Sequence, residues 1–138
     1  MTIFETEEDL RKEKKAIELF VSIFGGSYLK LDPFDIDYKV FDKDKNLIAY
    51  AEVKGITRII RDAYPLPVAA RKVVKLADKR LAPVLIWCCD DGIIYGKLNK
   101  LRGDIKWGGR IPRDGSINDS ELMIYYDKQR ELKYVRFV

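Results

Sequence analysis

The chain predicts an α/β domain, a mixed β-sheet flanked by helices, and three features carry that reading. Apolar residues recur at helical spacing near the N-terminus, an alternating segment folds back on itself around a polar turn, and a later helical stretch leads into a continuous apolar run. With 138 residues, no internal repeat and no low-complexity tract, the sequence reads as a single domain over 1–138.

The elements follow in order. Leu10, Ile17, Phe20, Val21 and Phe24 fall on one stripe, so a helix is expected over 5–24, ended by Gly25 and Gly26. A short strand is expected over 28–31. A hairpin follows, with strands over 35–41 and 47–54 joined by the polar residues 42–46. If Asp42 pairs with Leu47, Asp37 lies opposite Glu52, and two-residue periodicity puts Asp37, Glu52 and Lys54 on one face. A slip of one residue would undo this. A loop containing Tyr64, Pro65, Leu66 and Pro67 precedes a second helix over 68–80, stopped by Pro83. Residues 84–89 read as a buried strand and 93–98 as its hairpin partner. Residues 99–119 read as a basic loop, and 121–126 and 132–138 as late strands.

Composition narrows the chemistry. Hydrophobic residues make up 47% and charged residues 35%, as in soluble globular proteins. The longest apolar run, residues 83–89, is far short of a bilayer span, and residues 1–20 lack the zones of a secretion signal; a cytoplasmic, membrane-free protein is expected. Histidine is absent, which removes histidine bases, triads and metal ligands. The adjacent Cys88 and Cys89 lack the spacing of a zinc site and are expected to fill the core. Catalysis must therefore come from carboxylates, lysines or a hard metal ion. The net charge of +4 is unevenly placed: from Lys54 to Arg113 there are 14 Lys and Arg against 5 Asp and Glu, with the acidic excess elsewhere. A central basic block fits a polyanionic partner, although a solvated charged surface would have the same composition.

Two carboxylates facing each other on neighbouring strands repel unless a cation lies between them, and oxygen donors of this kind suit Mg²⁺ or Mn²⁺. Lys54, two residues beyond Glu52, could orient an attacking water or neutralise a phosphorus centre. An ordinary solvated hairpin carrying cross-strand charge pairs would show the same residues.

Asp37, the hairpin and Glu52-Val53-Lys54-Gly55 resemble the PD-(D/E)xK nuclease superfamily, which includes restriction endonucleases, Holliday-junction resolvases and small phage nucleases. The phage branch is closest in pattern. The acidic N-terminal helix, Tyr64-Pro65 before a helix bearing Lys72, the strand pair at 84–98, and Gly108-Gly109-Arg110 with Arg113 extend the similarity over roughly residues 10–126. The resemblance implies a restriction-endonuclease-like fold and phosphodiester hydrolysis of DNA with Mg²⁺ or Mn²⁺. Asp37 and Glu52 would be ligands together with the backbone carbonyl of Val53, and Lys54 would be the catalytic lysine. The pattern departs where Phe34 separates Pro33 from Asp35, so Asp35 is a second candidate ligand; the hairpin register favours Asp37. The superfamily also implies an acid from the first helix. Glu13 shares the stripe of Ile17, Phe20 and Phe24, so its carboxylate should face the sheet, with a metal or Lys54 as its partner or, alternatively, a surface lysine. Lys72, Arg58, Arg110 and Arg113 are expected to contact DNA phosphates, while a snorkelling lysine and a plain turn are the structural alternatives for Lys72 and Arg110.

Branched or junction DNA is the substrate the resemblance implies, with a homodimer cutting two symmetry-related strands, in the host cytoplasm if the gene is phage-borne. An exonuclease or nickase with the same chemistry, and a non-catalytic DNA-binding module on the same scaffold, are the competing readings. No RNA-recognition aromatic motif stands out.

Overall fold

A computed structural model describes residues 7–31, 36–79, 81–109 and 120–138. Helix α1 spans Glu7–Ser22. Its first turn carries Glu7, Glu8 and Asp9, which complement the positive end of the helix dipole. Ala16, Ile17, Phe20 and Val21 form its buried stripe. Gly25 takes the left-handed conformation (φ 72°), and the Gly26 N–H returns to the Val21 carbonyl at 3.0 Å, closing the helix end.

The strands are β1 (Ser27–Lys30), β2 (Tyr38–Phe41), β3 (Leu47–Gly55), β4 (Leu66–Ala69), β5 (Pro83–Cys88), β6 (Gly92–Lys97), β7 (Asp104–Gly109), β8 (Ser120–Tyr126) and β9 (Lys133–Arg136). Helix α2 (Ala70–Asp78) follows β4 directly. Six strands form the main sheet in the order β1-β2-β3-β5-β6-β9. Only β3 and β5 pair in parallel within it, as the crossover through β4 and α2 requires, so the sheet is mixed.

Strand β5 is central and buried on both faces, which explains its unbroken apolar run. Val84, Ile86 and Cys88 join Tyr38, Val40, Ala49 and Ala51 beneath α1. Leu85, Trp87 and Cys89 face the other way, into a second core with Leu66, Val68, Leu76, Ile94 and Tyr126. Cys88 and Cys89 are free thiols, both buried. Burial, the largest influence, pushes the Cys89 thiol up to about 12, so it stays protonated and serves as packing.

The structure departs from the sequence reading in the second half. Residues 66–69, expected in a loop and the start of a helix, form β4, and 104–109, expected in a loop, form β7. Both pair with β8 in a separate three-stranded antiparallel sheet, β4-β8-β7, instead of extending the main sheet. Leu66 and Val68 alternate with Pro67 and Ala69 along β4, a period of two that the neighbouring prolines obscured. The buried Trp87 joins the sheets: its indole N–H donates to the Pro67 carbonyl at 2.8 Å, and its ring meets Tyr126 edge-on at 5.7 Å. No helix among the described residues is long and apolar enough to cross a membrane.

Replacing Trp87 by Phe should strip the Pro67 carbonyl of its donor and leave a small void between the sheets. A loss of about 2 kcal/mol is expected in urea unfolding. An unchanged midpoint would show that the second sheet is held by other contacts.

Candidate active site

The hairpin sets the centre of the site. Tyr38 pairs with Ala51, Lys39 with Tyr50 and Val40 with Ala49, and continuing this register one residue places Asp37 across from Glu52. The turn closes differently from expectation, with Phe41 opposite Leu47 and an irregularity between Val40 and Phe41. The Asp42 carboxylate holds the turn by accepting the Asp44 and Asn46 N–H groups, each at 2.9 Å. The irregularity restores the register on which the acid pair depends.

The pair is built by reciprocal exchange between side chain and backbone. Asp37 stands at a bend just before β2, where its N–H donates to Glu52 Oε2 at 3.2 Å. Its own Oδ2 accepts the Val53 N–H at 2.8 Å. A strand residue presents its N–H and C=O to the same neighbour, so the Val53 carbonyl, expected as a ligand, lies on the Asp37 side of β3. Glu52 lies beside Leu85 of the central strand and is only 4% exposed. Its Oε1 accepts the Lys72 ammonium at 3.0 Å, reaching in from α2. Burial and then the neighbouring Glu52 charge raise the Asp37 carboxyl to about 7, despite the Val53 N–H, Lys72 and Lys30, which act against the rise.

These residues line a cleft of 780 Å³ that also contains Lys54, Lys12, Arg71 and Glu121. Lys54 is exposed, pairs in register with Trp87, and makes no ion pair among the described residues. Glu13 lines the cleft from the α1 side, and its carboxylate faces inward as expected, with the side chain 12% exposed. Its cationic partner is Lys30, at 3.0 Å, not Lys54. Tyr38 also hydrogen-bonds Glu13; burial first, then the Glu13 charge, push its phenol well above the usual range.

Three expected residues, Asp35, Arg110 and Arg113, lie outside the described residues. Arg58 is exposed and lines an adjoining groove of 450 Å³ that shares Gly55 and Thr57 with the main cleft. Lys72, expected to contact phosphate, lines the cleft and pairs with Glu52. Sequence reasoning missed Arg71, which pairs with Glu121 of β8 at 3.5 Å, and Lys12, whose ammonium donates to the Ile56 carbonyl at 3.0 Å. Arg71 was hidden because nothing local reveals that β8 borders β4; Lys12 had a weak signal in its position next to Glu13.

The buried Glu52 carboxylate and the half-buried Asp37 carboxyl, each bonded to a backbone N–H beside the other, form a donor set suited to a hard divalent cation. Among the described residues, no group of three or more His, Cys, Asp and Glu side chains is placed to hold a metal ion. The set is therefore the two carboxylates, with backbone oxygen and solvent as the remaining donor types. Compared with known proteins, the chain matches no family model, no curated protein and no solved structure.

The raised Asp37 carboxyl has a consequence for stability. Because its folded value lies above the ordinary 3.8, folding favours the protonated form, and that stabilisation is lost as pH rises through about 7. In chelator, unfolding free energy should fall between pH 5 and 8 by on the order of 2 kcal/mol through this group. Asp37→Asn should flatten the dependence; an equal slope in the variant would assign the repulsion elsewhere.

Proposed function

We propose that this chain is a Mg²⁺- or Mn²⁺-dependent DNA endonuclease of the PD-(D/E)xK type, with a restriction-endonuclease-like arrangement of its mixed sheet. One observation carries the reading: the buried Glu52 and the half-buried Asp37, tied through each other's neighbouring backbone, adjoin the exposed Lys54 in a cleft lined by further cations. A purely structural hairpin has no need to set an aspartate beside a buried glutamate, since neighbouring like charges cost stability where water is largely excluded.

Asp37 and Glu52 would hold the divalent ion, with the Val53 carbonyl on the same side. Bound there, the ion supplies a more acidic water and stabilises charge on a phosphate. The chain's own residues account for the rest. Lys54, free of ion pairs among the described residues and exposed to the cleft, neutralises charge at the scissile phosphate or orients the attacking water. Arg71 and Lys12 make the cleft walls cationic, and Arg58 continues that charge into the adjoining groove. Glu13, held by Lys30 and Tyr38, fixes the α1 wall beside Asp37. Branched DNA is the proposed substrate and a homodimer the proposed form for paired cuts, working in a cytoplasm. The Lys72–Glu52 pair gives a specific footing to a second reading, a DNA-binding module whose acid site is permanently closed by its own lysine.

A cleavage panel over junction, flap, linear and closed circular DNA separates these readings. Cutting of circular DNA in Mg²⁺ or Mn²⁺, abolished by chelator, is expected. Glu52→Gln should abolish cutting while retaining DNA affinity, and Lys54→Ala should slow it by roughly a hundredfold or more. Binding without cutting in either metal would select the binding module; dependence on a free end would select an exonuclease. DNA affinity should also fall steeply between low and physiological salt, and a flat response would remove DNA from the basic cleft.

A further inference from the structure

Lys72 meets the acid pair at its buried member, with its ammonium on Glu52 Oε1. Glu52 is the buried charged residue of the described core, and each of its oxygens is engaged: Oε1 with the Lys72 ammonium at 3.0 Å and Oε2 with the Asp37 N–H at 3.2 Å. The Asp37 Oδ2 is taken by the Val53 N–H. A carboxylate this deeply buried is costly without a counter-charge, and the Lys72 ammonium supplies one at 3.0 Å. The other cationic walls of the cleft are anchored elsewhere, Arg71 on Glu121 and Lys12 on the Ile56 carbonyl. Lys72 differs from them in touching the acid pair itself, while its side chain, 30% exposed, still borders the open cleft. Its ammonium is a compact charge on a flexible four-carbon stem and can change partner without moving the helix.

We propose that Lys72 is the resident counter-ion of the acid pair, that it leaves Glu52 when a divalent cation binds there, and that its ammonium then turns to the cleft as an additional phosphate contact. This inference rests on the metal-dependent reading above and adds an order to it: cation first, polyanion second. One lysine serves both states because the charge it neutralises at Glu52 is taken over by the incoming ion. The released positive charge raises the affinity of the cleft for phosphate, and by reciprocity bound polyanion tightens the hold on the cation. Before loading, the ion pair competes with the cation and weakens its apparent affinity by the fraction of molecules in which Glu52 is occupied.

Two measurements on the intact protein, neither requiring DNA or turnover, test this. Amine acetylation read by mass spectrometry should show Lys72 becoming several-fold more reactive as Mn²⁺ is added, along the same curve as Mn²⁺ binding measured by calorimetry. Lys72→Met should bind Mn²⁺ roughly tenfold more tightly than the wild type, because no ammonium has to be displaced. Lys72→Arg, which keeps the charge, should stay near wild type. Reactivity of Lys72 that is unchanged or reduced by bound Mn²⁺ overturns the proposal whether or not the Met variant folds, as does equal or weaker Mn²⁺ binding by a folded variant. If Mn²⁺ binds and DNA is cut while Lys72 is unresponsive, the exchange fails and the nuclease reading stands. Failure of the wild type to bind Mn²⁺ at all overturns both.

Discussion

A buried glutamate and a half-buried aspartate held side by side set the terms for everything around them. Asp37 and Glu52 do not merely face each other across a hairpin; each uses the other's strand backbone, Glu52 accepting from the Asp37 N–H and Asp37 from the Val53 N–H. These bonds satisfy polar groups beyond the last pair of β2, and they hold the acids closer than their charges favour. Partial burial first, and then the Glu52 charge, raise Asp37 to about 7. Such a site gains from cations, and the fold surrounds it with them: Lys72 in contact, Lys30 behind it, and Lys54 exposed alongside.

The scaffold explains why this conflict is sustained. Glu52 lies on β3 next to the central strand β5, the most buried part of the sheet, so its position is not free to relax into solvent. Ile36, fully buried in the second core, and Tyr38, buried beneath α1, flank Asp37 and hold the bend between them. The small sheet β4-β8-β7, tied to the main sheet through Trp87, forms the wall opposite β3 and carries Glu121 and Met123 to the cleft. The acid pair is thus held from both cores.

Much of the first half of the protein was legible from local pattern. Helix α1 ends within two residues of the expected boundaries, β1 and β3 within one, and β2 forms only from Tyr38 within the expected 35–41. The 37–52 register was expected from an Asp42–Leu47 turn that does not form; it holds because the irregularity between Val40 and Phe41 offsets the closure at Phe41 and Leu47. The partnerships of the cations were not legible. Lys72 was visible as a lysine on the edge of a helix, but its pairing with Glu52 depends on where α2 packs. Glu13 was visible as an inward acid, but Lys30 reaches it only because β1 runs alongside α1.

What the sequence determined by itself was the inventory and its local spacing: no histidine, two acids and a lysine at strand periodicity, and a basic middle. Those depend on covalent order and on repeats of two or 3.6 residues, which act over a few neighbours. The tertiary structure decided which charges meet, how deeply Glu52 is buried, and that the late strands build a separate wall instead of widening the sheet. Electrostatic energy depends on distance and on exclusion of water, and both arise only when elements far apart in the chain pack against each other.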